Sequence, residues 1–284
     1  MDKSSPSKQF QKAATPKLLR YMAFATSVDV INDPVDHATD LIVGAFFFAM
    51  RSCEYAWSSR KGRTKKITLG GIKFLDASRK ELSHDDPDLA SLAQYVWICF
   101  EFQKNGERDE SRTQRRSKDP VLCPVIRFVR VVQRVRRFVP DSSNETPFCS
   151  VNSFRHKSRF ISQTFTRSLM RKVCKKFGGK DTFGFHPEKI GNRSIRSGAA
   201  MALFLQNHSS DKIMILRRWK SKAFLDYIRP QVLSWTDLFS EDMISFNNFF
   251  ELCSGQSRTV KNSKRRKIQT IDNLEIPDLA DRVY

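Results

Sequence analysis

The spacing of apolar and polar positions changes several times along this chain. Residues 1–33 are mostly polar and read as a flexible N-terminal segment, with Pro16-Lys17-Leu18-Leu19 as a candidate start for a short helix. Asp33-Pro34 is a helix-start signal, because Asp caps and Pro fits the first helical position. The strongly apolar run from Val35 to Tyr55 predicts one helix that is mostly core. From Lys65 to Leu75 a short strand pattern is broken by Gly70-Gly71, and Ala77 to Leu89 is charged and loop-like. Gln94 to Phe102 is rich in β-formers and runs into Asn105-Gly106, a strong hairpin-turn signal, with Glu107 to Arg115 as the polar partner strand.

Beyond Asp119 the periodicity is helical. Pro120–Phe138 sets Val125, Ile126, Phe128, Val129, Val131 and Val132 against Arg127, Arg130, Arg134, Arg136 and Arg137. A basic helix, Ser162–Phe177, is closed by Gly178-Gly179. Further helical patterns cover Ile195–Leu205, Asp211–Leu216, Lys222–Arg229 and the Phe-rich Trp235–Leu252. The order (helix, small antiparallel sheet, many helices) predicts a mainly helical α+β domain over 34–253, followed by a basic tail at 254–284.

Charge adds a partner to this outline. Against 30 acidic residues stand 50 Lys and Arg, a formal net charge of +20, while 40% hydrophobic residues supply a core. Such a surplus points to a polyanion, most simply double-stranded DNA, with an anionic membrane surface as the alternative. Residues 104–180 hold 20 basic and 6 acidic side chains, and 258–267 holds 6 basic residues and no acid. Lys264-Arg265-Arg266-Lys267 fits a nuclear-import patch and equally a nonspecific DNA arm. The longest uncharged apolar run, Leu41–Met50, is 10 residues, against the roughly 20 of a membrane span. The six Cys form no CxxC pair and the five His show no ligand spacing, so neither a metal site nor a cofactor is expected.

Five separated pieces carry candidate chemistry: Arg51 in Arg-Ser-Cys-Glu54, Lys104 at the hairpin tip, Arg193-Ser-Ile-Arg196, Trp219 in Arg-Arg-Trp-Lys, and Tyr227 in Leu-Asp-Tyr-Ile-Arg. Each alone has an ordinary reading. Arg51 and Glu54 make a surface ion pair, Lys104 a turn residue, Arg193 and Arg196 a solvated helix face, and Trp219 and Tyr227 core aromatics. In this order, however, they resemble the catalytic domain of the tyrosine recombinases of phage-integrase type, and among them the eukaryotic Crypton-like transposon members. The most specific segments are Ile190-Gly-Asn-Arg-Ser-Ile-Arg-Ser-Gly-Ala-Ala-Met-Ala-Leu203 and Leu216-Arg-Arg-Trp-Lys-Ser-Lys-Ala-Phe-Leu-Asp-Tyr-Ile-Arg229. Phe102-Gln-Lys-Asn-Gly-Glu-Arg108 and Asp119-Pro-Val-Leu-Cys-Pro124 are similar to the same family, and the likeness covers roughly residues 15–235.

The resemblance implies a mobile-element recombinase that breaks and rejoins DNA through a 3′-phosphotyrosine on Tyr227, without metal or ATP. Tyr is a covalent nucleophile of known type, and phosphoryl transfer depends on positioning and charge. Arg51 and Arg196 would grip the phosphate with planar donor forks, Lys104 would protonate the leaving 5′-oxygen, and Trp219 would donate its indole N–H. Glu54 would orient Arg51. Arg127, Arg130, Arg134, Lys172 and Lys175 are the expected DNA-backbone contacts, although the helix at 125–137 also reads as core with snorkelling Arg. Self-association on DNA and a nuclear location complete the expectation, with Phe239, Phe246, Phe249 and Phe250 either core or a face docking on a neighbouring subunit.

The chain also departs from the family pattern. Arg193 stands where the family usually has His, and Arg cannot act as a general base. Arg217 replaces a usual Gly, and Lys222 and Asp226 beside the nucleophile are unusual. Fifty residues before Arg51 cannot hold the family's separate DNA-clamping domain, so the expectation is a truncated copy or a catalytic domain working alone. An impaired remnant that binds DNA without cutting is the alternative.

Overall fold

A single helix, α2 (Pro34–Phe47), runs through the core of the computed structural model, which describes residues 11–26, 29–58, 64–102, 106, 108–153, 158–206 and 208–218. The Asp33 side chain accepts the N–H groups of Val35 and Asp36, so the cap acts where the sequence places it. Leu41, Ile42, Val43 and Ala45 are fully buried. Around α2 pack α1 (Pro16–Phe24), α5 (Pro124–Phe138), α6 (Gln163–Lys176) and α8 (Ser194–Leu205). Short helices α3 (Ser52–Tyr55), α4 (Leu89–Leu92) and α7 (Gly179–Phe183) connect them, and α9 (Ser210–Arg217) follows α8.

Beside the helices lies an antiparallel sheet of four strands: β1 (Ile72–Leu75), β2 (Glu81–Leu82), β3 (Tyr95–Phe102) and β4 (Arg108–Arg115). Their order is β2-β1-β3-β4. Val96, Ile98 and Phe100 alternate along β3 onto the core face, and β4 pairs with it from Tyr95↔Arg115 to Phe102↔Arg108. The architecture is mainly helical α+β with a small antiparallel sheet, as its sequence pattern predicts. Among the described residues no helix is long and apolar enough to cross a membrane.

Four expectations need correction. Residues 1–33 are not a loose segment throughout. Helix α1, capped by Thr15, buries Leu18, Leu19 and Met22 against the core, because its apolar positions recur at helical spacing. The run from Val35 to Tyr55 is not one helix. Ala49 takes φ 47°, which ends α2 and restarts the chain as α3 with Arg51 at its N-cap. The third concerns Arg127, Arg130 and Arg134, expected as DNA contacts. All three converge on the buried Asp40 of α2, at 2.8, 3.1 and 3.1 Å. Arg127 and Arg134 are 5% and 1% exposed, and they also donate to the carbonyls of Val121 and Ile31. A carboxylate inside the helix pair claims them, so they are ties between α2 and α5 and are not offered to a phosphate. Helix α5 itself starts at Pro124, four residues later than its pattern suggests, because Asp119 folds Val121 and Leu122 into a turn by accepting their N–H groups.

Candidate active site

The break after α2 creates the first half of the site. With Ala49 left-handed, the chain turns and Arg51 begins a new helical turn whose first N–H groups lack helical partners. Glu54, three residues on, fills that need: its Oε2 accepts the Arg51 N–H at 2.8 Å, and its Oε1 accepts Arg51 Nη1 at 3.0 Å. Glu54 is 1% exposed and Arg51 21%, so the guanidinium keeps one side toward solvent while its base is held.

Helix α8 brings the second half. Arg196, in its first turn and half-buried, donates Nη1 to the Ala49 carbonyl at 3.0 Å. The turn therefore ties Arg196 to a backbone carbonyl two residues before Arg51 in the chain, and the charge of Arg196 acts on Glu54. Two arginines far apart along the chain are brought to one place by a single backbone feature.

A third arginine completes the group, and it was not among the residues singled out from sequence. Arg218, at the C-cap of α9 in a left-handed conformation, is 4% exposed. It reaches Glu54 through Nη2 at 3.0 Å and Nη1 at 3.4 Å, and its guanidinium lies over the Phe100 ring at 3.4 Å. Such stacking favours the weakly hydrated guanidinium over other cations. Burial works against the charge of Glu54, but Arg218, Arg51 and Arg196 outweigh it and hold its carboxyl below the usual carboxylate range. Three guanidinium groups around one carboxylate leave a local surplus of positive charge. Such a cup can bind an anion with paired donors fixed in advance.

Neighbouring strands brace the group. Arg112 of β4 donates to the Ile215 carbonyl of α9 at 2.9 Å, and Gln114 to the Phe47 carbonyl at the end of α2 at 3.0 Å. The remaining candidates fall as follows. Arg193 sits exposed at the N-cap of α8, one turn before Arg196. Lys172 and Lys175 are exposed on α6. Lys104, Trp219 and Tyr227 lie outside the described residues, as do the Lys222–Arg229 and Trp235–Leu252 patterns and the tail at 254–284. Lys104 belongs to the connection between paired Phe102 and Arg108, and Trp219 directly follows Arg218 in sequence.

No protein-family model matches the chain, and no curated protein does. Among solved structures it is similar to the XerH site-specific recombinase bound to its difH substrate in a pre-cleavage complex. That likeness has a TM-score of 0.45 and 13% identity, over 79% of this chain and 52% of the other. This chain thus spans about half the length of that recombinase.

Proposed function

We propose that the protein is a DNA strand transferase of the tyrosine-recombinase type. The observation that carries this reading is the meeting of Arg51 and Arg196 beside one buried carboxylate. These are the two arginines that the resemblance names as the phosphate clamp. A scissile phosphate in this cup would meet two guanidinium forks whose orientation Glu54 and the Ala49 carbonyl fix before binding. The Tyr227 hydroxyl attacks phosphorus and passes its proton to solvent water, a P–O bond to the phenolic oxygen forms, and the P–O bond to the 5′-oxygen breaks. Lys104 gives that leaving oxygen a proton. Reversal by a 5′-hydroxyl from another strand restores the phosphodiester and frees the tyrosine. Trp219 donates its indole N–H to a non-bridging oxygen, Lys172 and Lys175 contact the flanking backbone, and Arg193 adds a further positive charge at the phosphate. A mobile-element role of Crypton-like kind, self-association on DNA and nuclear import through Lys264–Lys267 belong to the same proposal.

The test is a nicked suicide duplex incubated with the full chain. A covalent protein–DNA adduct that disappears in Tyr227→Phe is expected, while an intact protein that forms no adduct on any duplex tried removes the reading.

One observation favours a second reading, a protein that holds DNA without cutting it. The position where the family has a proton-transferring His is Arg193, exposed at the start of α8 and unable to take a proton. If cleavage appears only in Arg193→His, the chain is a disabled enzyme. DNA binding with no cleavage in either form supports the binding protein.

A further inference from the structure

The segment expected to be loose carries a device that the proposed reaction does not use. Residues 11–14 lie along the start of α8, the helix that bears Arg193 and Arg196. Lys12 N–H donates to the Lys189 carbonyl at 2.8 Å, and Ala14 N–H to the Ser194 carbonyl at 2.9 Å. The Gln11 side chain accepts the Arg193 N–H through Oε1 at 3.0 Å, a bond across most of the described chain. Two glycines make room for this contact. A Cβ at Gly191 would stand 2.4 Å from Gln11 Nε2, and one at Gly198 would stand 2.0 Å from the Ala14 carbonyl oxygen. Ala14 is 1% exposed, and Thr15, the next residue, caps α1.

We propose that Gln11–Ala14 is a positioning strap that fixes the first turn of α8, with Gln11 as its key side chain. The physical reason is leverage. Arg193 is the N-cap of α8 and has no side-chain cap of its own, so its N–H is satisfied from outside by Gln11. Arg196 is held at its tip by the Ala49 carbonyl on one side of the helix. The strap holds the backbone of the same turn to α1, which packs on α2 and α6. Slippage of α8 along its axis would carry Arg193 and Arg196 away from Arg51, and displacements of about 1 Å are enough to degrade phosphoryl transfer. The strap is a positioning element and touches no substrate, and its catalytic meaning rests on the proposed strand-transfer reading.

The experiment compares Gln11→Ala, Gly191→Ala, their double variant and Gln11→Glu in the full chain. The readouts are amide hydrogen exchange over 192–198, adduct formation on the suicide duplex, duplex affinity and thermal unfolding. Gly191→Ala pushes the flexible Gln11 amide aside and so copies Gln11→Ala. Each single variant is expected to speed exchange at Arg193 and its neighbours and to slow adduct formation about tenfold, the double variant adding little beyond either. Gln11→Glu keeps an acceptor and is expected to restore both, and duplex affinity and unfolding temperature should hardly move. Unchanged exchange in Gln11→Ala overturns the strap. So does a loss of rate that follows the unfolding temperature in every variant, Gln11→Glu included, because that marks plain destabilisation. An unaltered chain that forms no adduct overturns the strand-transfer reading instead, and exchange at Arg193 then decides the strap by itself.

Discussion

Glu54 serves three cations of unequal exposure, and that inequality divides their roles. Arg218 is sealed against the carboxylate and Phe100, whereas Arg51 keeps solvent access. Removing the carboxylate strands a buried guanidinium, so Glu54→Gln is expected to lower unfolding stability by about 3–5 kcal/mol in a denaturant titration. The pH sign follows from the lowered carboxyl. A carboxylate bound more tightly to its charge when folded contributes stability that is complete above its ordinary value of 4.5. That contribution is lost as acid protonates the folded form below that range. Wild-type stability should therefore fall with acid in this window, and Glu54→Gln should flatten the slope. Arg218→Ala is expected to slow adduct formation through misplacement of Arg51 and Glu54, while duplex affinity changes little, since Arg218 faces the protein interior. From sequence Arg217 stands out as replacing a usual Gly, while Arg218 beside it receives no role. Only the fold, by bringing Glu54 under α9, gives it one.

At the level of elements, the pairing of α2 with α5 shows how a charge pattern misleads. Arg127, Arg130 and Arg134 recur at helical spacing, and that periodicity alone is equally suited to a phosphate-binding face. What decides between the two is Asp40, a fully buried acid at the middle of α2. Its carboxylate lies between the helices and accepts from all three. Asp40→Asn should cost about 3–5 kcal/mol of unfolding stability, since it leaves guanidinium groups buried without their counter-charge. Exposed Arg137→Ala on the same helix should stay within about 0.5 kcal/mol. Elements set by local chemistry were legible in advance: the Asp33 cap, the basic helix that starts after Ser162 and the run of β-formers that becomes β3. The break at Ala49 was not, because a left-handed alanine has no local signature and is held by contacts from distant parts of the chain. Helix α1 was half-legible, as a short pattern in polar surroundings whose burial depends on α2 and α6.

For the molecule as a whole, the surplus of basic residues divides into a buried portion that builds the fold and an exposed portion free to meet a polyanion. The duplex titration is expected to show a steep fall in affinity between roughly 50 and 200 mM salt, from release of counterions. Lys172→Ala with Lys175→Ala should lower the slope by about two units on the logarithmic scale if both touch phosphates. Replacement of Arg127 or Arg134 should change the slope little and unfold the protein more readily. The order of the candidate residues was readable from the chain, and so was the fold class. The pairing of Glu54 with Arg51 was readable too, but the arrival of Arg218 on the same carboxylate was not, since it arises from tertiary closure between the turn after α2 and the end of α9.

The contact of Arg218 with Phe100 joins strand β3 to the end of α9. Phe100 belongs to the ribbon that leads to Lys104, and Arg218 is the last described residue before the stretch that leads to Tyr227. The ring and the guanidinium form a shared fulcrum: a tilt of the ribbon is passed to Arg218 and so to the carboxylate of Glu54. Arg51 shares the carboxylate with Arg218, so a displaced ribbon would also disturb the half of the anion cup that Arg51 builds. The sheet and the carboxylate under the three arginines thus move as one piece, with no backbone bond between them.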